Sequence, residues 1–247
     1  MLGSIGYRWS LRVLGLLVAA IGGSASLVYK PRVSVPKSGN ARLLYMLCKD
    51  PRFLCVCSAV TLIRMGYFEP VLYVPTAAAK ETGMKSTASN IVLVFNAGTT
   101  IGRILSGPIS AVLGPHNTNL LANILASLVI FVFLLVVKTA AGYYAFSVIF
   151  SILSSLYLAI NTHIAANEFG THAIASSVGL TIAFSGIGVL IGIPVQGALY
   201  EKYDRPNDRI TAVSVWAGIC YASVSMCYAI LRSLVARKQS GSYFSKM

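Results

Sequence analysis

TNLLANILASLVIFVFLLVV (Thr118–Val137) is twenty residues long and holds no Asp, Glu, Lys or Arg. A helix of that length rises about 30 Å, the depth of a bilayer's hydrocarbon. Similar apolar blocks flank it on both sides. Thr87–Leu113 and Gly142–Ile164 are nearest, then Phe53–Pro75 and Ala173–Tyr200, then Leu11–Tyr29 and Ile210–Val235. Gly, Pro, Asn or charge marks the short connections between them, and the longest connection is Lys30–Arg52. No room remains for a folded extramembrane domain. The pattern predicts an all-α membrane protein, a bundle of about seven transmembrane helices. Its parts are an N-terminal span (1–29), a basic loop (30–52), a six-helix bundle (53–235) and a basic tail (236–247).

Composition agrees. Of 247 residues, 56% are hydrophobic and 11% charged, and the mean hydropathy is +0.73. Soluble domains carry about 25% charged residues, so this chain cannot cover a water-facing surface but can cover a lipid-facing one. The formal charge of +13 does not argue for nucleic acid, because the basic residues cluster between apolar blocks, as retention of Lys and Arg at a cytoplasmic face predicts. Cys55 and Cys57 form a Cys-x-Cys with no second pair and no nearby His, so no zinc site is expected. Cys48, Cys220 and Cys227 read as ordinary helix residues too. No cofactor or metal is expected. His163, Glu168 and His172 group between two blocks, and a solvated loop explains them better than an intramembrane hydrolase does.

Charge sets the expected topology. The 30–52 segment carries Lys30, Arg32, Lys37, Arg42, Lys49 and Arg52 against Asp50, and the tail carries Arg232, Arg237, Lys238 and Lys246 with no acid. Six spans separate the two segments, so they share one side, which should be cytoplasmic. The first block resembles a signal peptide, with Arg8 and Arg12 ahead of its apolar run and Gly22-Gly23-Ser24-Ala25-Ser26 resembling a cleavage region. Cleavage there would put both basic segments outside, so a retained span with its N-terminus outside is expected. The opposite loops, with Lys80, Glu81 and Lys85, then Lys138, and then Glu201, Lys202, Asp204, Arg205, Asp208 and Arg209, are mixed in sign and would face outside or a lumen.

Ionisable residues inside spans cost about 2.5–3.5 kcal/mol on insertion scales, and three stand out. Arg103 lies deep in the third block. It would be either a counter-charge for an anionic substrate, held bidentately, or a structural arginine paired to another helix or snorkelling inward. Arg64 sits near the middle of the second block with Glu69 farther along it. Five residues apart, they point about 140° from one another. Glu69, with Arg64, is a candidate for proton or ion coupling, or else ends solvated at the outer interface. Gly66 and Pro70 bracket an expected kink. Gly188, Gly192, Pro194 and Gly197 in the sixth block predict close helix packing.

Several strings resemble a known family. Gly6-Tyr7-Arg8-Trp9-Ser10-Leu11-Arg12 is similar to the entry of the sixth helix of fungal monocarboxylate-transporter-like members of the major facilitator superfamily. Lys49-Asp50-Pro51-Arg52-Phe53-Leu54 resembles the opening of their seventh. Phe95-Asn96-Ala97-Gly98 with Gly102-Arg103-Ile104-Leu105-Ser106-Gly107 resembles their eighth, and Gly192-Ile193-Pro194-Val195-Gln196-Gly197-Ala198 the end of their eleventh. The resemblance implies a fold of twelve helices in two halves, of which this chain supplies helix six, the central cytoplasmic loop and helices seven to twelve. Substrate sites in such folds lie between the halves. It also implies that Arg103 meets a substrate carboxylate, with Asn96, Thr99 and Thr100 lining the same cavity. One stretch departs from the family. Where a Gly-x-x-x-Asp-Arg-x-Gly-Arg gate motif is usual, this chain has Gly107-Pro108-Ile109-Ser110-Ala111-Val112-Leu113-Gly114-Pro115, with no charge.

The expected function is therefore secondary transport of a monocarboxylate or other small organic anion, perhaps in symport with protons, in a plasma or organelle membrane with the C-terminus cytoplasmic. The alternative is a non-transporting half-transporter or scaffold that needs a partner half. The lipid bilayer is the expected surrounding, and no nucleic-acid partner is expected.

Overall fold

The computed structural model describes residues 7–28, 41–83, 85–136, 139–169, 174–205 and 210–238. Helix is the only regular structure among them. The chain divides into two compact units, Met1–Gly39 and Asn40–Met247. The first holds α1 (Tyr7–Val28), whose side chains Leu14, Leu16, Leu17, Val18 and Ile21 are exposed.

The second unit begins with a feature the sequence reading placed in a loop. α2 (Ala41–Lys49) is a nine-residue helix whose Leu47 packs with Phe53, Cys57, Leu180 and Phe184. α3 (Pro51–Thr82) follows at once. Asp50 caps it, accepting from the Arg52 amide at 2.9 Å, and Pro51 fills a first-turn position where a missing N–H costs nothing. The Arg52 guanidinium also pairs with the Asp50 carboxylate at 2.6 Å. α3 continues through Pro70 and Pro75 and stops at Gly83, whose φ of 68° suits glycine at a helix end. Then come α4 (Lys85–Leu113), α5 (Pro115–Val136), α6 (Ala140–Phe169), α7 (Ile174–Leu199) and α8 (Thr211–Lys238). A π-helical turn, Tyr200–Asp204, ends α7. Gly114, at φ 83°, makes the tight turn from α4 into α5.

Among the described residues, five stretches are long and apolar enough to cross a membrane: Pro51–Lys80, Pro115–Phe133, Ala140–Asn161, Ser176–Asp204 and Thr211–Val235. Leu11–Leu27 is a shorter apolar helix. α4, with 29 residues, is also long enough at 1.5 Å per residue. It is set apart by the polar residues Asn90, Asn96, Thr99, Thr100 and Arg103 along it.

Small residues decide how closely the helices approach. Between α4 and α6, a Cβ on Gly98 or Gly102 would run into Ser151 or Ser155. The two serine hydroxyls turn back onto the carbonyls of Val148 and Ile152, so they need no partner across the seam. Between α3 and α7, Gly188 lies on Thr61 and Gly192 on Met65. Between α3 and α8, Gly66 lies on Ala217 and Cys220, and Gly218 lets Phe131 of α5 lie on α8. The core is an aromatic run in which Phe133 stacks on Phe146, Phe146 on Phe150, and Phe150 meets Tyr221 edge-on. α7 buries only a narrow strip, while Ile182, Ile187, Leu190 and Ile191 stay exposed.

Candidate functional site

Asn96, Thr99, Thr100 and Arg103 fall within an arc of about 100° on α4. Asn96, Thr100 and Arg103 are exposed and Thr99 is half-buried. The arc lies opposite Gly98 and Gly102, which face α6. The threonine hydroxyls donate to the carbonyls of Phe95 and Asn96, which leaves the Asn96 amide and the Arg103 guanidinium as the open polar groups of this face.

α3 brings a second arginine close. Arg64 is half-buried, with its Cζ 5.7 Å from the Tyr67 ring centroid, a cation–π distance. Arg64 and Arg103 are both near enough to the Tyr67 phenol to act on it electrostatically. Tyr67 stands edge-on to Phe95 of α4 at 6.2 Å and lines, with Asn96 and Pro70, a cavity of ≈ 70 Å³ between α3 and α4. Tyr67 was not singled out in the sequence, although its position three residues after Arg64 places it on the same face.

Glu69 points the other way. It is 0% exposed, and its Oε1 accepts a hydrogen bond of 2.6 Å from the Ser214 hydroxyl of α8. Its Oε2 has no hydrogen-bond partner among the described residues. Glu69 therefore sits in the α3–α8 seam and not at a solvated interface. Asp204, in the mixed-sign loop that sequence alone placed in solvent, is 2% exposed and accepts from the backbone amides of Ala212 (2.9 Å) and Val213 (3.0 Å). It caps α8 from eight and nine residues upstream. The glycine pair Gly188 and Gly192 meets α3, whereas Pro194 is exposed and the nearest atom to a Cβ on Gly197 would be the Tyr73 hydroxyl at 3.9 Å. His163 is exposed on α6, His172 lies outside the described residues, and among the described residues no group of three metal-ligating side chains occurs.

The model of the Major Facilitator Superfamily matches residues 1–193. The chain belongs to the major facilitator superfamily. It is a multi-pass integral membrane protein of that superfamily. It is similar to an aspyridones efflux protein of Emericella nidulans, 25% identical over 201 residues, covering 81% of this chain and 41% of the relative. An MFS-type transporter of Aspergillus niger is 28% identical over 207 residues, 81% of this chain and 46% of the relative. An agnestins efflux protein of Paecilomyces divaricatus is 22% identical over 199 residues, with coverages of 81% and 46%. The chain thus spans somewhat less than half the length of these superfamily relatives.

Proposed function

We propose that this chain forms one wall of a secondary transporter for small organic anions, monocarboxylates among them, and that Arg103 meets the anion. The observation that carries this is the Asn96–Thr100–Arg103 face of α4, exposed on the side away from α6. An uncompensated guanidinium facing lipid is costly, whereas one facing a cavity between two transporter halves has water and substrate for partners. The facing wall would come from another half. Two relatives are named as efflux proteins, which favours outward transport here. Where transport is coupled to protons, Glu69 is the group we assign to carry them, because its carboxylate is sealed in the α3–α8 seam with one oxygen lacking a hydrogen-bond partner among the described residues. The basic 30–52 segment and tail favour a cytoplasmic C-terminus in a plasma or organelle membrane.

The test is uptake of labelled butyrate into proteoliposomes containing the full chain, alone and with a co-expressed N-terminal half. Arg103→Ala is expected to abolish uptake while elution and melting stay as in the wild type. Uptake that survives the substitution in a folded protein refutes the assignment.

A second reading, a non-transporting half-transporter or scaffold, is favoured by the uncharged stretch Gly107–Pro115, which lacks the residues of a cytoplasmic charge latch. Uptake by the chain alone rejects it.

A further inference from the structure

Arg64 is the charge in the bundle with the least local explanation. It lies near the middle of α3. It carries a cationic guanidinium, and among the described residues it forms no salt bridge; the ion pairs there include Asp50–Arg52 and Glu201–Arg205. Its Nε is buried without a hydrogen-bond partner. The Tyr67 ring is a weak substitute for an anion.

A cavity of ≈ 80 Å³ opens beside Arg64, between α3, α6 and α7. Its polar lining is Arg64, Tyr157, Asn161, Thr181 and Ser185, with no acidic side chain. Most of these groups are donors. The Asn161 carbonyl oxygen is already taken by the Tyr228 hydroxyl at 2.8 Å, which leaves the amide hydrogens for the cavity. Tyr157 is 1% exposed. Its hydroxyl lies beside that of Tyr228 without meeting hydrogen-bond geometry. The Thr181 hydroxyl is committed to the Ser177 carbonyl at 2.6 Å. A small, donor-lined space with a lone cation in its wall fits an anionic oxygen group. It is far below the roughly 300–1,000 Å³ of a site that encloses a whole ligand, so it takes a head group only.

We propose that this cavity is a second anion subsite, and that among organic anions the preferred ligand is an acid with two acidic groups, one at Arg64 and one at Arg103. The proposal rests on the reading of Arg103 as the first anion site. Tyr67 ties the two walls together: its ring centroid lies 5.7 Å from the Arg64 Cζ and stands edge-on at 6.2 Å to Phe95 of α4, the helix that carries Arg103.

The probes are two four-carbon acids, succinate and butyrate, in equilibrium binding to the full chain purified in detergent. The wild type is expected to hold succinate more tightly than butyrate. Arg64→Gln should collapse the ratio of the two affinities to about one, a loss of roughly ten- to a hundredfold for succinate, as expected when one charge-assisted pair disappears. Arg64→Lys, which keeps the charge but not the planar fork, should restore part of the ratio. Melting temperatures of both variants report whether they fold. A wild type that binds the two acids equally, or binds neither, overturns the proposal. So does an unchanged ratio in a folded Arg64→Gln. An Arg103→Gln variant separates the two readings. If it binds both acids as the wild type does while Arg64→Gln loses the ratio, the Arg103 assignment fails and the Arg64 cavity stands as an anion site by itself.

Discussion

Gly192→Ala tests how α7 is held to α3. A methyl at that position would lie 2.6 Å from the Met65 Cα and 3.0 Å from its carbonyl oxygen. Carbon atoms pack at about 3.5–4.0 Å, so α7 must retreat by about 1 Å. The neighbour that must give is backbone, which has no rotamer to change. Overpacking of this kind costs about 1–3 kcal/mol. The retreat also strains the bonds across the seam, from Gln196 Nε2 to the Met65 oxygen at 2.6 Å and from the Thr61 hydroxyl to the Phe184 oxygen at 3.2 Å. Interhelical bonds in membranes are worth about 0.6 kcal/mol each. Alanine returns up to about 1 kcal/mol of helix propensity, which leaves a net loss of about 2 kcal/mol. Gly188, one turn away, abuts Thr61 and the Arg64 Cβ. The same retreat relieves both methyls, so the double variant should cost less than the sum of the singles. Unfolding of the full chain by SDS in mixed micelles measures this. Trp216 reports on the same place, because its Nε1 donates to the Met65 oxygen at 3.4 Å. The control is Gly186→Ala, where nothing lies within 4 Å of the new carbon and stability should hold or rise. If Gly192→Ala proves as stable as the control, or the double variant is additive, the backbone contact is not what sets the spacing.

Two further outcomes follow from the α8 end of the bundle. Asp204→Ala removes the acceptor for the Ala212 and Val213 amides and should cost about 1–3 kcal/mol in the same unfolding assay, with Asp204→Asn losing less because one acceptor survives; equal losses would show that the cap is not the cause. Glu69→Gln keeps an oxygen for the Ser214 hydroxyl and removes a sealed charge, so it should be at least as stable as the wild type, while Glu69→Ala leaves that hydroxyl unpaired and should cost about 1–3 kcal/mol; the reverse order would refute the described contact.

The spans were legible because a bilayer imposes a length, and blocks such as Thr118–Val137 announce it. The opposed directions of Arg64 and Glu69 were legible from helical geometry alone. What each residue meets was not. A glycine pair says that something comes close and not what, so Gly188 and Gly192 were read as packing residues without α3 as their neighbour, while Gly98 and Gly102 on α4 carry the same spacing and were not read as packing. α2 escaped because nine residues give too few turns for a clear apolar stripe within a basic run. Asp204 escaped because a helix cap ordinarily comes from the residue at the helix start, and this one folds back from eight residues before Ala212. Asn161 and Tyr157 carry no charge to draw attention, and only the packing of α3, α6 and α7 assembles them around Arg64.

The Met65 carbonyl oxygen accepts from Gln196 of α7 and from Trp216 of α8. Three helices therefore share one fixed point, and that point has mechanical meaning. It lies one residue from Arg64 and, at 1.5 Å per residue, about 21 Å from the start and about 26 Å from the end of α3. A tilt of about 10° around this oxygen would swing the helix ends by about 4 Å on that lever arm and barely displace Arg64. A fulcrum so placed would let the two ends of α3 move in opposite directions while the arginine stays nearly still.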